Sequence, residues 1–125
     1  MMDQPSIREL VDAVREFLEK RAMPELKGHT AFHARVASNA LGIVARELAL
    51  GAGAANEEKK RLATLLGRDG SLEDLNRDLC RILREGKIDL AQPQLLEHLE
   101  KTVRDKIAID QPNYSGLKIA RERDG

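Results

Sequence analysis

The segment HTAFHARVASNALGIVARELAL, residues 29–50, determines the fold class that this sequence predicts. Drawn as a helix that turns about 100° per residue, it is apolar around most of its circumference. A helix of this kind is normally enclosed by other helices, so we expect it to be the central element of a helical domain. Its polar side chains form one narrow strip, Arg35, Asn39 and Arg46, with Gly42 at the edge.

The segments next to this helix carry signals for helix starts and stops. Ser6 and Glu9 have the spacing of a capping box, which predicts the start of a first helix. Pro24 should end or bend that helix. Gly51 and Gly53 predict the end of the central helix, because glycine is unfavourable in a helix interior.

Three further helices are predicted downstream. A short helix covers residues 57–66, and the next runs over residues 72–85 and stops before Gly86. The last helix begins at Pro93, since proline is favoured in the first turn, and it ends before Pro112.

No segment alternates between apolar and polar residues for long enough to predict a strand. The predicted fold class is therefore all-α, a single compact up-and-down bundle of four to five helices around the central helix at about residues 29–50. We expect residues 1–112 to form this bundle domain. Residues 113–125 are predicted to be a C-terminal tail that is mobile or docked on a partner.

Composition excludes several classes of partner. Lys and Arg number 21, as do Asp and Glu, and the aromatic residues are two Phe and one Tyr. This composition favours neither phosphate neutralisation nor base stacking, so we expect no nucleic acid partner. The longest apolar run, residues 40–45, is too short to cross a bilayer, and no membrane association is predicted. The single cysteine, Cys80, predicts a reducing, cytoplasmic location and is expected to be buried.

A ligand-binding hypothesis depends on Arg35, Asn39 and Arg46. Two guanidinium groups and an amide on one helical face can bind a phosphate or carboxylate, and Gly42 leaves room for it. The alternative is an ordinary helix face that is solvated or paired with carboxylates of the same chain. The sequence leaves both interpretations open.

His33 is the fourth tentative ligand-binding residue. His29 and His33 are four residues apart, a spacing that can chelate zinc, and His98 could supply a third ligand. The glutamate of the metalloprotease helix pattern is missing, and a histidine at the border of an apolar arc is more often a hydrogen-bonded core residue. We therefore predict no metal site, no cofactor and no catalytic residue.

The segments FHARVASNALGIVARELALG (residues 32–51) and TVRDKIAIDQPNY (residues 102–114) resemble a bacterial family of small proteins of unknown function. Members of that family are often encoded beside acyl-CoA dehydrogenases and aminoglycoside-phosphotransferase-like kinases. The resemblance implies an accessory role in acyl-CoA or small-hydroxyacid catabolism, and it assigns no catalytic residue.

The leading functional prediction is a non-catalytic accessory protein that binds another protein. The expected partner is a second copy of the chain in a homodimer, or a neighbouring kinase or dehydrogenase. The reason is that the apolar arc of the central helix could be wider than the narrow leucine faces of the other predicted helices can cover, which would leave a patch for a partner. The alternative is a binding module or enzyme for an anionic small molecule of the coenzyme A or phosphate type. That alternative would use Arg35, Asn39 and Arg46, with His33 beside them.

Overall fold

The structure, a computed structural model, describes residues 4–124. Residues 1–3 of the predicted bundle domain and residue 125 of the predicted tail lie outside this range. The described residues form helices and no strand, which confirms the all-α class. In chain order the elements are helix α1 (Ile7–Phe17), a π-helical turn (Leu18–Ala22), a 3-10 turn (Met23–Glu25), and helices α2 (Gly28–Leu66), α3 (Leu72–Arg84), α4 (Pro93–Asp110) and α5 (Ser115–Asp124).

Local signals in the sequence place most helix ends correctly. The Ser6 hydroxyl accepts from the Glu9 backbone N–H at 3.1 Å, and the Glu9 carboxylate accepts from the Ser6 N–H at 3.2 Å. This reciprocal pair is the predicted capping box, and it satisfies two N–H groups that the first turn leaves without partners. Pro93 opens α4, and Gly86 has a φ of 66° just after α3. Only glycine adopts that left-handed conformation without strain.

Helix α2 is much longer than predicted. It continues through Gly51 and Gly53 to Leu66, so the predicted stop at residue 50 and the separate helix over residues 57–66 are wrong. A helical glycine costs roughly 0.5–1 kcal/mol relative to alanine. That cost is too small to break a helix whose backbone ladder continues on both sides and whose neighbouring residues include several alanines, the strongest helix formers.

The chain divides into two compact units. Unit 1 extends to Leu50 and contains α1, both short turns and the first part of α2. Unit 2 begins at Gly51 and contains the rest of α2 with α3, α4 and α5. Within residues 4–124, no helix combines the length and the apolar character that a membrane span requires.

Unit 1 is an antiparallel pair of helices held together by small residues. The Ser38 hydroxyl donates to the Glu19 carboxylate at 2.7 Å, and Gly42 lies against the Arg15 side chain. In both contacts, 19 with 38 and 15 with 42, the two residue numbers add up to 57. A constant sum means that the two segments run in opposite directions. The residues of unit 1 that the structure describes as buried are all small: Ala34, Ser38, Gly42 and Ala45. Among the described residues of unit 1, the two helices therefore approach closely and no large side chain is buried.

The central helix is not enclosed in the way that its composition predicts. Phe32 is 58% exposed, Val36 is 48% exposed and Leu48 is 46% exposed. Apolar composition shows that a helix can be covered, but it does not show that the same chain supplies the cover. At these three positions the helix is therefore covered less than its composition predicts.

Unit 2 has a conventional leucine core. Leu62 of α2, Leu75 and Leu79 of α3, and Leu95 of α4 are buried and in mutual contact. Partly buried side chains surround this cluster, namely Ala63, Leu65, Leu66, Leu72, Ile82, Leu83 and Ile88. Hydrophobic burial is the main source of folding free energy, and the buried large side chains of the described residues all lie in unit 2.

The predicted C-terminal tail is a helix that packs on its own chain. Leu117 of α5 is buried, and Asp124 forms an ion pair with Arg104 of α4. The same Arg104 guanidinium lowers the pKa of the Asp124 carboxyl.

Cys80 also differs from its prediction, because its side chain is exposed and not buried.

Candidate functional site

Unit 1 exposes a continuous apolar face, which we define by Ile7, Leu10, Val14 and Phe17 of α1 with Val44 and Leu48 of α2. Between 44% and 58% of each of these side chains is exposed. The four α1 residues are three or four positions apart, so they lie in one stripe along the helix. No side chain of α1 is buried, although the helix is strongly amphipathic. A stripe of this kind without a covering element is unusual, because contiguous apolar patches are rarely left exposed on monomeric proteins.

The helical geometry places the α1 and α2 parts of the face side by side. Half-buried Val11, Arg15 and Leu18 define the line along which α1 contacts α2. At about 100° per residue, Val14 is about 70° from that line. In α2, Leu48 is also roughly 70° from the corresponding line through Ser38 and Ala45. Because the helices are antiparallel, these two rotations turn toward the same side of the pair, so both stripes point in one direction.

The opposite edge of the helix pair is polar. Arg15 Nη2 lies 3.5 Å from Glu19 Oε1, and the Glu19 carboxylate also accepts from Ser38. A Cβ at Gly42 would lie 3.2 Å from Arg46 Nη1 and 3.4 Å from Arg15 Nη2. Glycine at position 42 therefore leaves the space in which two guanidinium groups approach the α2 backbone. Within residues 4–124, Nε of Arg15 has no hydrogen-bond partner.

The structure separates the four tentative ligand-binding residues into two groups. Arg35 and Asn39 are exposed on the polar edge, and Arg46 on the same edge is half-buried and engaged in an interaction of its own. His33 is exposed and contacts Phe32 edge to face, with ring centroids 5.6 Å apart. His33 lies about 140° around the helix from the strip, so it cannot act on a ligand held there by one copy of the helix.

Sequence reasoning missed Arg15 as a member of the polar edge. Arg15 lies in the predicted first helix, and its approach to Gly42 joins residues that are far apart in the chain. The periodicity of a single helix contains no information about such a contact. The signal that could have revealed this contact is Gly42, a residue without a side chain at the edge of a strip of long polar side chains. Such a gap has room for an arginine from a neighbouring helix.

His98, the third residue of the zinc hypothesis, is buried in unit 2. Its Nδ1 accepts from Arg61 Nε at 3.3 Å. Burial lowers the pKa of His98, and the positive charge of Arg61 lowers it further. No group of three histidine, cysteine or carboxylate side chains is arranged to hold a metal ion in the part of the chain that the structure describes.

Comparison with known proteins identifies a family and no activity. No curated protein matches the chain, and no solved structure matches it. A family model matches residues 24–114, a range that begins after α1 and ends before α5. This match covers more than half of the chain, and the protein therefore belongs to the family described as a domain of unknown function, DUF6285.

Proposed function

We propose that unit 1 is a self-association module through which two copies of the chain form a homodimer, and that the protein acts as a non-catalytic interaction domain. The observation that carries this proposal is the apolar face of unit 1. Its side chains are about half exposed, while the buried residues in the described part of unit 1, from residue 4 onward, are alanine, serine and glycine. A pair of helices without a core of its own gains the missing burial when a second apolar face covers it.

A second copy of the chain is the occupant that fits the geometry best. Two antiparallel helix pairs that pack face to face form a four-helix bundle, a common arrangement for helices of this kind. A two-fold axis lets one stripe serve as both partners, because each stripe meets its own copy. Leu, Val, Ile and Phe side chains at helical spacing interdigitate well in such a bundle.

The size of the face sets its share of a dimer interface. Helix α1, which carries four of its six side chains, is about 16 Å long at 1.5 Å per residue, and two adjacent helices are roughly 20 Å wide. The projected area is then on the order of 300 Å², and the corresponding accessible surface is larger because side chains protrude. Standard interfaces bury about 800 Å² per partner, so the face would form the apolar centre of such an interface and not its whole area.

The test compares two matched substitutions by sedimentation velocity from low to high micromolar concentration. Val14→Glu introduces a charge into the apolar face, whereas Val36→Glu introduces it about 170° away from the line of contact with α1. The two valines are 50% and 48% exposed, so the cost to a single copy is similar. We expect the wild type and Val36→Glu to be dimeric and Val14→Glu to be monomeric, with helix content by circular dichroism unchanged.

Two results would overturn the proposal. A wild-type chain that stays monomeric at high micromolar concentration removes the homodimer. Equal behaviour of Val14→Glu and Val36→Glu shows that the apolar face of unit 1 is not the interface, whatever the oligomeric state.

The resemblance described above supports a further proposal about context. Three predictions still rest on that resemblance and on the cysteine content: an accessory role beside a kinase or an acyl-CoA dehydrogenase, a bacterial source, and a cytoplasmic location. Co-purification of the tagged chain with the two enzymes tests the accessory role. If neither enzyme co-purifies with the chain, the result counts against that role. An anion site of the coenzyme A or phosphate type at Arg35, Asn39 and Arg46 remains the alternative, and its support is the approach of Arg46 and Arg15 to Gly42.

A further inference from the structure

Unit 2 contains a polar pocket that the proposed self-association does not use. The pocket has a volume of about 500 Å³ and lies between residues 60–65 of α2 and residues 92–101 at the start of α4. Most of its lining side chains are charged or amide groups, and Leu65 is its only large aliphatic side chain. A pocket of this size can hold a small molecule, and its charged and amide groups can fix the orientation of a polar one.

Arg61 differs from the other cations of the pocket in the nature of its partners. Lys60 lies 3.3 Å from the Glu57 carboxylate, and Lys101 lies 2.7 Å from the Glu97 carboxylate. Arg61 instead donates to neutral acceptors on α4. Its Nε donates to His98 at 3.3 Å, and its Nη2 donates to Thr102 at 3.1 Å. Among the residues that the structure describes, Arg61 has no carboxylate oxygen within ion-pair distance.

His98 holds one edge of the Arg61 guanidinium in a fixed orientation. The His98 side chain is only 3% exposed, so its position is defined by packing. The neutral ring accepts through Nδ1, and burial together with the Arg61 charge keeps the pKa of His98 below its usual value. A protonated ring would have no acceptor to offer. His98 and Thr102 therefore act as positioning residues for a half-buried cation.

The anchored edge leaves the other end of the guanidinium available. Arginine has five N–H groups, and the contacts with His98 and Thr102 use Nε–H and one N–H of Nη2. The three remaining N–H groups are both of those on Nη1 and one on Nη2. One N–H of Nη1 and the remaining N–H of Nη2 form the end-on fork that matches the two oxygens of a carboxylate. A half-buried positive charge without an anionic partner is unfavourable, and an anion would relieve it.

We propose that this pocket binds the carboxylate group of a small polar organic acid, with its two oxygens on the free Nη1 and Nη2 N–H groups of Arg61. The charge in the pocket favours a singly charged group. Lys60 and Lys101 each have a carboxylate within ion-pair distance, whereas the Glu97 carboxylate acts on Arg61 only from a longer distance, so Arg61 is the lining cation that can still take a carboxylate in direct contact. The amide of Gln94, which also lines the pocket, can hydrogen-bond to the rest of the ligand. This proposal is independent of the apolar face of unit 1.

The experiment is a titration of the full chain with sodium acetate, followed by nuclear magnetic resonance of the Arg61 Nε–H and the Gln94 side-chain amide. Sodium chloride at equal ionic strength and sodium phosphate are titrated in parallel. We expect saturable shifts of both signals with acetate and only small, non-saturating shifts with chloride. Because the signals belong to the site itself, the wild-type measurement tests the proposal without any variant.

Two variants sharpen the result. Arg61→Gln should weaken acetate binding about tenfold or more, since a charge-assisted pair of hydrogen bonds is lost. Arg68→Gln is the matched control, because Arg68 is paired with Asp78 at 3.1 Å elsewhere in unit 2, and it should leave binding unchanged. If Arg61→Gln does not fold, Arg61→Lys keeps the charge, removes the fork and should also weaken binding.

Three outcomes overturn the proposal. Absence of saturable shifts with acetate shows that Arg61 only connects α2 to α4. Equal responses to acetate and chloride show general screening and no site. Saturable binding of phosphate without binding of acetate shows an anion site for a different chemical class from the one proposed.

Discussion

The continuity of helix α2 leads to a sharp prediction at Gly53. Gly53 lies in the helix interior with no positive φ, and a Cβ added there would meet no atom within 4 Å. Gly53→Ala therefore gains helix propensity at no steric cost. We expect the free energy of unfolding to rise by about 0.5–1 kcal/mol. Gly53→Pro should lower it by about 3 kcal/mol or more, because proline removes a backbone hydrogen bond and clashes with the preceding turn.

Urea unfolding followed by far-UV circular dichroism measures both effects. The control is Gly67→Ala, since Gly67 has a φ of 69° and an alanine there is strained although space is open. That substitution should lower the free energy of unfolding by about 1 kcal/mol or more. A loop at residues 51–56, as the sequence alone predicts, would tolerate proline. A neutral Gly53→Pro together with an unaltered helix content would therefore refute a continuous α2.

Three further predictions concern unit 2. Leu62→Ala should lower the free energy of unfolding by about 3–4 kcal/mol, because Leu62 is fully buried and the change leaves a cavity. The control is Leu96→Ala at a site that is 60% exposed, and in the same urea titration it should lower the free energy of unfolding by well under half as much. His98 should make stability depend on pH. Burial lowers the pKa of His98 in the folded chain, so the unfolded chain is protonated first as the pH falls through 6.5, and stability is lost from there downward with a slope of up to about 1.4 kcal/mol per pH unit. His98→Gln should remove this part of the slope between about pH 7.5 and pH 5.5, and equal slopes in both proteins would contradict the reasoning. Cys80 is exposed, so a thiol reagent should label the folded chain with one equivalent at nearly the rate seen in urea; protection of the folded chain would place Cys80 in an interface or a core.

Local chemistry in the sequence predicts helix ends well. The capping box at Ser6 and Glu9, the proline that opens α4 and the left-handed Gly86 all involve residues a few positions apart. Such contacts form in the same way in almost any tertiary context, so residue type and spacing are sufficient to predict them. The wrong helix end at Gly51 and Gly53 came from relying on helix propensity alone. Glycine costs a helix less than about 1 kcal/mol relative to alanine, and contacts in the rest of the fold easily outweigh that cost.

The candidate sites depend on contacts between distant segments, and these were not predictable from one helix at a time. Helical periodicity places Arg35, Asn39 and Arg46 on one strip, but it cannot bring in Arg15 from another helix. The same limit applies to Arg61, whose partners are 37 and 41 residues away. Periodicity also shows which apolar residues share a face without showing whether the chain covers them, which is why the exposure of α1 was not predicted.

The small-residue seam of unit 1 has a consequence for the calorimetry of the protein. The heat-capacity change of unfolding follows the apolar area that unfolding exposes. Ala34, Ser38, Gly42 and Ala45 bury little of it, and the larger side chains in the described part of unit 1 are half-buried or exposed in a single copy. A dilute sample therefore unfolds with a smaller heat-capacity change than about 12–15 cal/mol/K for each residue. The difference measures the apolar surface that a single chain keeps in contact with water.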